Sequence, residues 1–194
     1  MKAKIYKILK HTKVEGPGKR YCIWFQGCRK HCKGCWAKAT WDINGGKEYD
    51  VNNLLKDIIS TKGIEGVTFL GGEPFEQAKA VEFLAKNIQK AGLSVICFTG
   101  YRINTIKKKF NNILNYIDIL IDGKFDEKKK DFSRPWVGSS NQNYHFLTNR
   151  YTKNILNEYK NKIEVNIQKN GIIFINGMGD FEKLSNNLNL LQKH

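Results

Sequence analysis

Apolar and polar positions along the chain follow two alternating rhythms. "KIYKILK" (Lys4–Lys10) alternates apolar and charged residues, as an edge or half-buried strand does. Four apolar runs follow: "YCIWFQG" (Tyr21–Gly27), "GVTFLGG" (Gly66–Gly72), "LSVICFTG" (Leu93–Gly100) and "IDILIDG" (Ile117–Gly123). Short unbroken apolar runs that end in glycine read as buried strands. Between them the period lengthens to that of a helix. "DVNNLLKDIIS" (Asp50–Ser60) places Val51, Leu54, Leu55, Ile58 and Ile59 on one face behind an Asp50 N-cap. "FEQAKAVEFLAKNIQKAG" (Phe75–Gly92) predicts a second helix, closed by Gly92. "RINTIKKKFNNILNY" (Arg102–Tyr116) predicts a third, broken at Asn111 and Asn112.

Strand and helix alternating at this pace imply β-α-β units and an α/β fold with a mainly parallel sheet. "EGPGKR" is a turn. Near the end the pattern changes. "KIEVNIQKNGIIFING" (Lys162–Gly177) predicts a hairpin about a Lys-Asn-Gly turn, and "DFEKLSNNLNLLQKH" a final helix. No repeat, linker or low-complexity tract divides the chain. The expectation is a single domain over residues 1–194, with the hairpin and helix from about residue 162 as an appendage.

Composition narrows the class. Hydrophobic content of 41% and aromatic content of 12% fit a folded globular chain. No apolar stretch nears the ~20 residues that span a bilayer, so no membrane is expected. The lysine-interrupted start does not read as a secretory segment, which places the chain in the cytoplasm, where thiols stay reduced. The five cysteines, three of them clustered, argue for metal or catalysis over disulfides. The net charge is +15, but its lysines are scattered, and the densest run, "FDEKKKDF", mixes in acids. That pattern does not point to nucleic acid, and an acidic protein partner fits it better.

"GCRKHCKGCW" (Gly27–Trp36) holds Cys28, Cys32 and Cys35 in a C-x3-C-x2-C spacing. A structural zinc site usually takes four protein ligands. His31 or Cys22 could supply a fourth, although neither has the usual paired spacing. Cys22 and Cys97 read most simply as small core residues. In parallel α/β folds, sites gather outside the carboxyl ends of the strands. The cysteine loop, "GGEPF", "TGY" and "DGKF" each follow a predicted strand. The strand pattern thus puts Cys28, Cys32, Cys35, Gly71, Gly72, Glu73, Thr99, Tyr101, Asp122 and Lys124 on one rim. Taken singly, "GGEP", "TGY" and "DGK" could be ordinary turns. Three thiolates on such a rim suit an iron–sulfur cluster whose fourth iron is left open.

That set, in that order, resembles the radical S-adenosylmethionine (SAM) enzymes. More closely it resembles their small glycyl-radical-activating branch, the anaerobic ribonucleotide reductase activators. "GCRKHCKGCWAKATW", "FLGGEPF", "TGY", "DGKF" and "WVGSSNQNYHF" carry the resemblance, which runs roughly over residues 3–178. The basic stretch around residues 147–162 and the C-terminal helix depart from it and leave the protein substrate open.

The resemblance implies a partial, side-open (β/α)6 barrel. It implies that Cys28, Cys32 and Cys35 hold a [4Fe–4S] cluster whose open iron chelates SAM, which is cleaved reductively. Gly71 and Gly72 would bring backbone close to the methionine end, and Glu73 would accept from its ammonium. Trp36 would pack on adenine. Asp122 and Lys124 would lie near the carboxylate or ribose, while Ser139, Ser140, Asn141 and Gln142 would bind ligand or backbone. Thr99 and Tyr101 would complete the pocket. The implied product is a glycyl radical on a partner enzyme, with a flavodoxin or ferredoxin as electron donor. Two other readings stay open: a small radical SAM enzyme modifying a peptide or small molecule, and a zinc-stabilised binding module.

Overall fold

The computed structural model describes residues 1–167, 171, 173–180 and 183–184. Its main element is a seven-stranded sheet in the order β3-β1-β2-β4-β5-β6-β7. The strands are β1 (Lys2–Thr12), β2 (Arg20–Phe25), β3 (Lys47–Asp50), β4 (Gly66–Gly71), β5 (Ser94–Thr99), β6 (Ile119–Asp122) and β7 (Asn143–Phe146). The four apolar runs are β2, β4, β5 and β6, and they pair in parallel. β1 and β3 on one side and β7 on the other pair antiparallel. The chain is therefore a mixed α/β fold built on one large sheet. β1 is not an edge strand, since β3 covers its outer side. Neither β3 nor β7 was foreseen, because both are only four residues long and carry few apolar residues in series.

The helices fall where the period placed them. α1 (Val51–Ser60) starts behind Asp50, whose carboxylate accepts from the backbone N–H groups of Asn52 and Asn53 at 3.0 Å. Such a cap contributes about 1 kcal/mol. Val51, Leu54 and Ile58 are buried, but Ile59 is 51% exposed, so the apolar face is narrower than expected. α2 (Ala78–Lys90) begins only after a short 3-10 turn over Pro74–Gln77. It ends as expected, with Gly92 at φ +80 and the Leu93 N–H donating to the Ile88 carbonyl. α3 (Ile103–Leu114) is kinked at Phe110 (φ −142), just ahead of the asparagine pair, where the Phe110 ring packs against Phe75.

The two faces of the sheet are covered differently. One packs on the helices: Tyr21, Ile23, Phe25, Val67, Phe69, Val95, Cys97 and Leu120 join Leu54, Ile58, Leu84 and Ile88 in one core. The other face carries Cys22, Trp24 and Leu70, and farther along Ile96, Ile119 and Ile121 under Trp136 and Val137. Cys22 and Cys97 are both fully buried core residues.

The predicted hairpin is present as β8 (Ile163–Ile167) and β9 (Ile173–Gly177), paired antiparallel. It packs onto the second face of the sheet. Phe174 meets Trp24 edge-on with ring centroids 6.0 Å apart. The Asn176 amide donates to Thr12 Oγ1 at 3.0 Å, and the Gly177 N–H to Glu15 Oε1 at 2.7 Å. The turn and the C-terminal helix lie outside the described residues, apart from Gly171, Asp180, Lys183 and Leu184. No helix among the described residues is long and apolar enough to cross a membrane.

Candidate functional site

β2 runs straight into the cysteine loop, and the loop is held by its backbone. The Gly27 N–H donates to the Thr40 carbonyl at 2.8 Å, and the Cys28 N–H to the Trp41 carbonyl at 3.1 Å. From the neighbouring strand end, the Glu73 N–H donates to the Gly27 carbonyl at 2.9 Å. Inside the loop, the Cys35 N–H donates to the Cys32 carbonyl, and the His31 ring stacks on Trp41 with centroids 4.6 Å apart. Burial raises the thiols of Cys28, Cys32 and Cys35 above their ordinary range. Bound iron would reverse that, because a coordinating thiol is deprotonated outright.

The loop opens onto a cavity of about 560 Å³. Cys28, Cys32, Cys35, Trp36, Gly71, Gly72, Glu73 and Thr99 all line it. Trp24, Leu70 and Phe98 on the second face of the sheet also line it, as do Phe174 to Gly179 of the hairpin segment. Trp36 is 55% exposed.

The glycines are needed for close packing. Gly71 has φ +106, and a Cβ there would lie 2.6 Å from Trp24 Cα. A Cβ on Gly72 would lie 2.4 Å from the Gly27 carbonyl oxygen. The strand end therefore has to be bare for the cysteine loop to close over it.

Glu73 is almost fully buried and its carboxylate is occupied. It accepts from the Phe75 N–H at 3.1 Å, Thr99 Oγ1 at 2.8 Å and the Gly100 N–H at 2.8 Å. Burial nevertheless pushes its pKa up to about 7. These bonds brace the ends of β4 and β5 against each other.

Of the other expected residues, Tyr101, Asp122, Lys124, Ser139, Ser140 and Asn141 do not line the cavity. Tyr101 packs beneath Lys30, whose Nζ lies 3.1 Å above its ring, and its hydroxyl donates to Glu76. Asp122 accepts from the Ile103 N–H at 2.6 Å and from the Asn143 amide at 3.0 Å, with His145 and Arg102 beside it. Lys124 is exposed, and its carbonyl accepts from the Asn141 amide at 2.8 Å. Ser139 is buried and accepts from the Asp126 N–H. Gln142 does reach the cavity. Its Oε1 accepts from the Gly138 and Ser139 N–H groups, and its amide donates to the Gly123 carbonyl.

Among the cavity residues that sequence reasoning missed are Lys30, Glu15 and Asn176. Glu15 is 2% exposed, and burial pushes its pKa up to about 7. Its Oε2 and Asn176 Oδ1 have no hydrogen-bond partner among the described residues. Lys30 could have been noticed as a charge inside the cysteine loop. The Glu15–Asn176 pairing has no local signal, because the two residues are joined only by the folded hairpin.

The donor set fits a cluster. Each of three cluster irons takes one thiolate, so the cysteines must surround a space, and here all three line one cavity. The two candidates for a fourth zinc ligand have other places. Cys22 is buried beside Trp24 and Leu70, and His31 is stacked on Trp41. Among the described residues no three His, Cys, Asp or Glu side chains gather about a single metal-ion position.

Comparison with known proteins agrees. Residues 14–145 match the family model of a 4Fe-4S single cluster domain. The chain is 32% identical over 142 residues to the anaerobic ribonucleoside-triphosphate reductase-activating protein of Salmonella typhi, covering 69% of this chain and 92% of that one. The protein of that name from Escherichia coli K12 is 32% identical over 143 residues, with the same coverage. The one from Enterobacteria phage T4 is 31% identical, covering 66% of this chain and 85% of that one. The crystal structure of QueE from Escherichia coli overlaps 52% of this chain and 53% of that one, at 21% identity and a TM-score of 0.44. With a single-cluster 4Fe-4S domain over most of its length and relatives matched nearly end to end, the chain belongs to the family of anaerobic ribonucleoside-triphosphate reductase-activating proteins.

Proposed function

We propose that this protein generates a glycyl radical on anaerobic ribonucleoside-triphosphate reductase. The observation that carries this reading is the single cavity at the strand ends, walled by Cys28, Cys32 and Cys35 together with Gly71 and Gly72. In this reading the three cysteines hold a [4Fe–4S] cluster and the cavity beside them takes SAM. When bound, these cofactors supply one-electron chemistry able to remove a hydrogen atom from a glycine Cα.

The chain's own residues position and shield. The bonds from Thr40, Trp41 and Glu73 to the cysteine loop fix its height over the strand ends. Glu73, tied to Thr99 and Gly100, keeps the β4 and β5 ends level. Exposed Trp36 is placed to cover a flat base. The apolar wall of Trp24, Leu70, Phe98 and Phe174 excludes water from a reactive carbon centre. Tyr101, Asp122, Lys124, Ser139 and Asn141 act behind the wall, holding the segments that carry Gly100, Gly123 and Gln142.

In this reading the sheet is the wall of a partial, side-open (β/α)6 barrel, and the whole chain is one working domain with the hairpin as part of its cavity. The open side admits a loop of the reductase. The protein works in the cytoplasm, reduced by a flavodoxin or ferredoxin drawn to its basic surface.

The test is electron paramagnetic resonance on the reconstituted, reduced protein mixed with SAM and the reductase. A glycyl radical on the reductase, absent without this protein, is the expected result. Robust SAM cleavage with no radical on that partner would overturn the reading.

A further inference from the structure

The end of the sheet opposite the cysteines holds a second concavity, of about 310 Å³, lined by Lys13, Gly18, Lys19, Tyr159, Lys160 and Lys162. Lys19 immediately precedes β2, and the cysteine loop follows it. A six-residue strand spans about 20 Å, so the two sites are well separated.

We propose that this concavity binds a small polyphosphate anion. Some lysines elsewhere are paired, as Lys2 is with Glu48, Lys10 with Asp57 and Lys33 with Glu127, whereas here four lysines line one concavity. Among the described residues none of the four lysines here lies within ion-pair distance of a carboxylate. Two carboxylates border the concavity without pairing with its lysines. Glu65 accepts from the Tyr151 hydroxyl and its Oε2 lies against Gly18, and Glu164 accepts from Thr12 Oγ1 and the Lys13 N–H. Four ammonium groups therefore outnumber two carboxylates there. Glu15 accepts from the Gly177 N–H.

The site also has a fixed directional donor. The Tyr159 oxygen accepts from the Gly18 N–H at 3.1 Å, which leaves its own O–H to donate, and its ring is packed on Trp136 with centroids 5.1 Å apart. Four compact ammonium charges and one phenol around so small a volume match an ion carrying several charges on linked tetrahedral groups. An isolated carboxylate would leave most of that charge unanswered. A protein surface would reach the rim of a concave site more readily than its interior. Two of the lysines, with Tyr159, lie just ahead of β8, and the Lys162 carbonyl accepts from the Met178 N–H at 3.1 Å. An anion bound here therefore grips the base of the hairpin that walls the main cavity.

Calorimetry with tripolyphosphate, adenosine triphosphate and inorganic phosphate, at about 0.15 M salt, tests the proposal on the full chain. Saturable binding of one tripolyphosphate per chain is expected, at least tenfold tighter than inorganic phosphate. Similar affinities for tripolyphosphate and adenosine triphosphate would show that the phosphate chain alone is read, and tighter nucleotide binding would add a base contact; either supports the site. The double variant Lys19→Gln/Lys160→Gln should weaken binding at least tenfold, and Tyr159→Phe several-fold, with melting temperatures unchanged. Lys19→Arg/Lys160→Arg should retain most of the affinity, which guards against loss through misfolding. Lys107→Gln/Lys108→Gln, on exposed α3, removes equal charge and should change affinity less than twofold. Non-saturating binding, equal loss in the α3 variant, or no preference over inorganic phosphate would each overturn the proposal and leave only diffuse attraction to a chain of net charge +15.

Discussion

The two faces of the central sheet are made from the same strands and serve different ends. The helix-covered face is closed: Tyr21, Ile23, Phe25, Val67 and Phe69 are each fully buried against α1 and α2. Burying such side chains contributes about 1.5–3 kcal/mol each. The opposite face is left partly unfilled, with Trp24, Leu70 and Phe98 lining a cavity that the hairpin walls from the other side. Stability is concentrated on one face, and chemistry is arranged along the other and across its rim. Alternation along a strand decides which face a residue serves. Ile119 and Ile121 join the cluster on the cavity side of the sheet, whereas Leu120 joins the helix-side core. Asp122 shares the parity of Leu120, and its carboxylate receives the first N–H of α3.

The sharpest break in this division would come at Gly72. Its missing side chain lets the cysteine loop approach to a distance at which a Cβ would sit 2.4 Å from the Gly27 oxygen. Gly72→Val should displace the loop and abolish both iron incorporation and SAM cleavage. Blocking of SAM alone, with full iron content retained, would mean that the glycine faces the cofactor and not the loop. Iron analysis of the anaerobically reconstituted variant distinguishes these outcomes.

Much of the rim was legible because it is written in local pattern. Each apolar run ended where a glycine marked a strand end, and Cys28, Gly71, Gly72, Glu73 and Thr99 came together on one wall from that alone. The parity of Asp122 was also there to be read, two residues on from Leu120, but the "DGK" motif obscured it. The hairpin's role was not legible. Thr12 and Glu164, or Glu15 and Gly177, are brought together across the whole chain, and hydrophobic period says nothing about which strands meet. The kink at Phe110 was displaced from the expected asparagines because ring packing against Phe75 fixes it.

A more moderate effect is expected at Glu15, where a carboxyl is enclosed between the sheet and the hairpin. Its pKa rises from 4.5 to about 7 on folding, because burial penalises the charged form. A raised carboxyl pKa means that the folded state binds the proton more tightly. Its contribution is therefore fully present below about pH 4.5 and is lost as pH rises through about 7. Over that window the cost is on the order of 3 kcal/mol. Glu15→Gln keeps an acceptor for the Gly177 N–H and removes the ionisable group. It should flatten the pH dependence and raise stability at pH 8. Urea unfolding of both proteins at pH 5 and pH 8 measures this. An unchanged slope would show that Glu15 is not held in a dry site, and with it that the hairpin does not seal the cavity.

The smallest effect on the cavity should come from Asp122, which tests parity itself. The side chain is 1% exposed and accepts from the Ile103 N–H and the Asn143 amide. Asp122→Asn retains one acceptor but turns an N–H2 group toward donors, so the start of α3 should loosen at a cost of about 1–2 kcal/mol. Asp122→Ala should cost more, because it leaves the Ile103 N–H without its acceptor. Neither variant touches the cavity wall, so SAM affinity of the reconstituted protein should stay within about twofold of the parent once both are fully folded, since a direct charge-assisted contact would cost tenfold or more. Thermal unfolding and calorimetry on the same samples separate the two quantities. A tenfold loss of SAM affinity with an unchanged melting temperature would place Asp122 on the cofactor side. It would also mean that strand parity does not decide which residues the cavity receives.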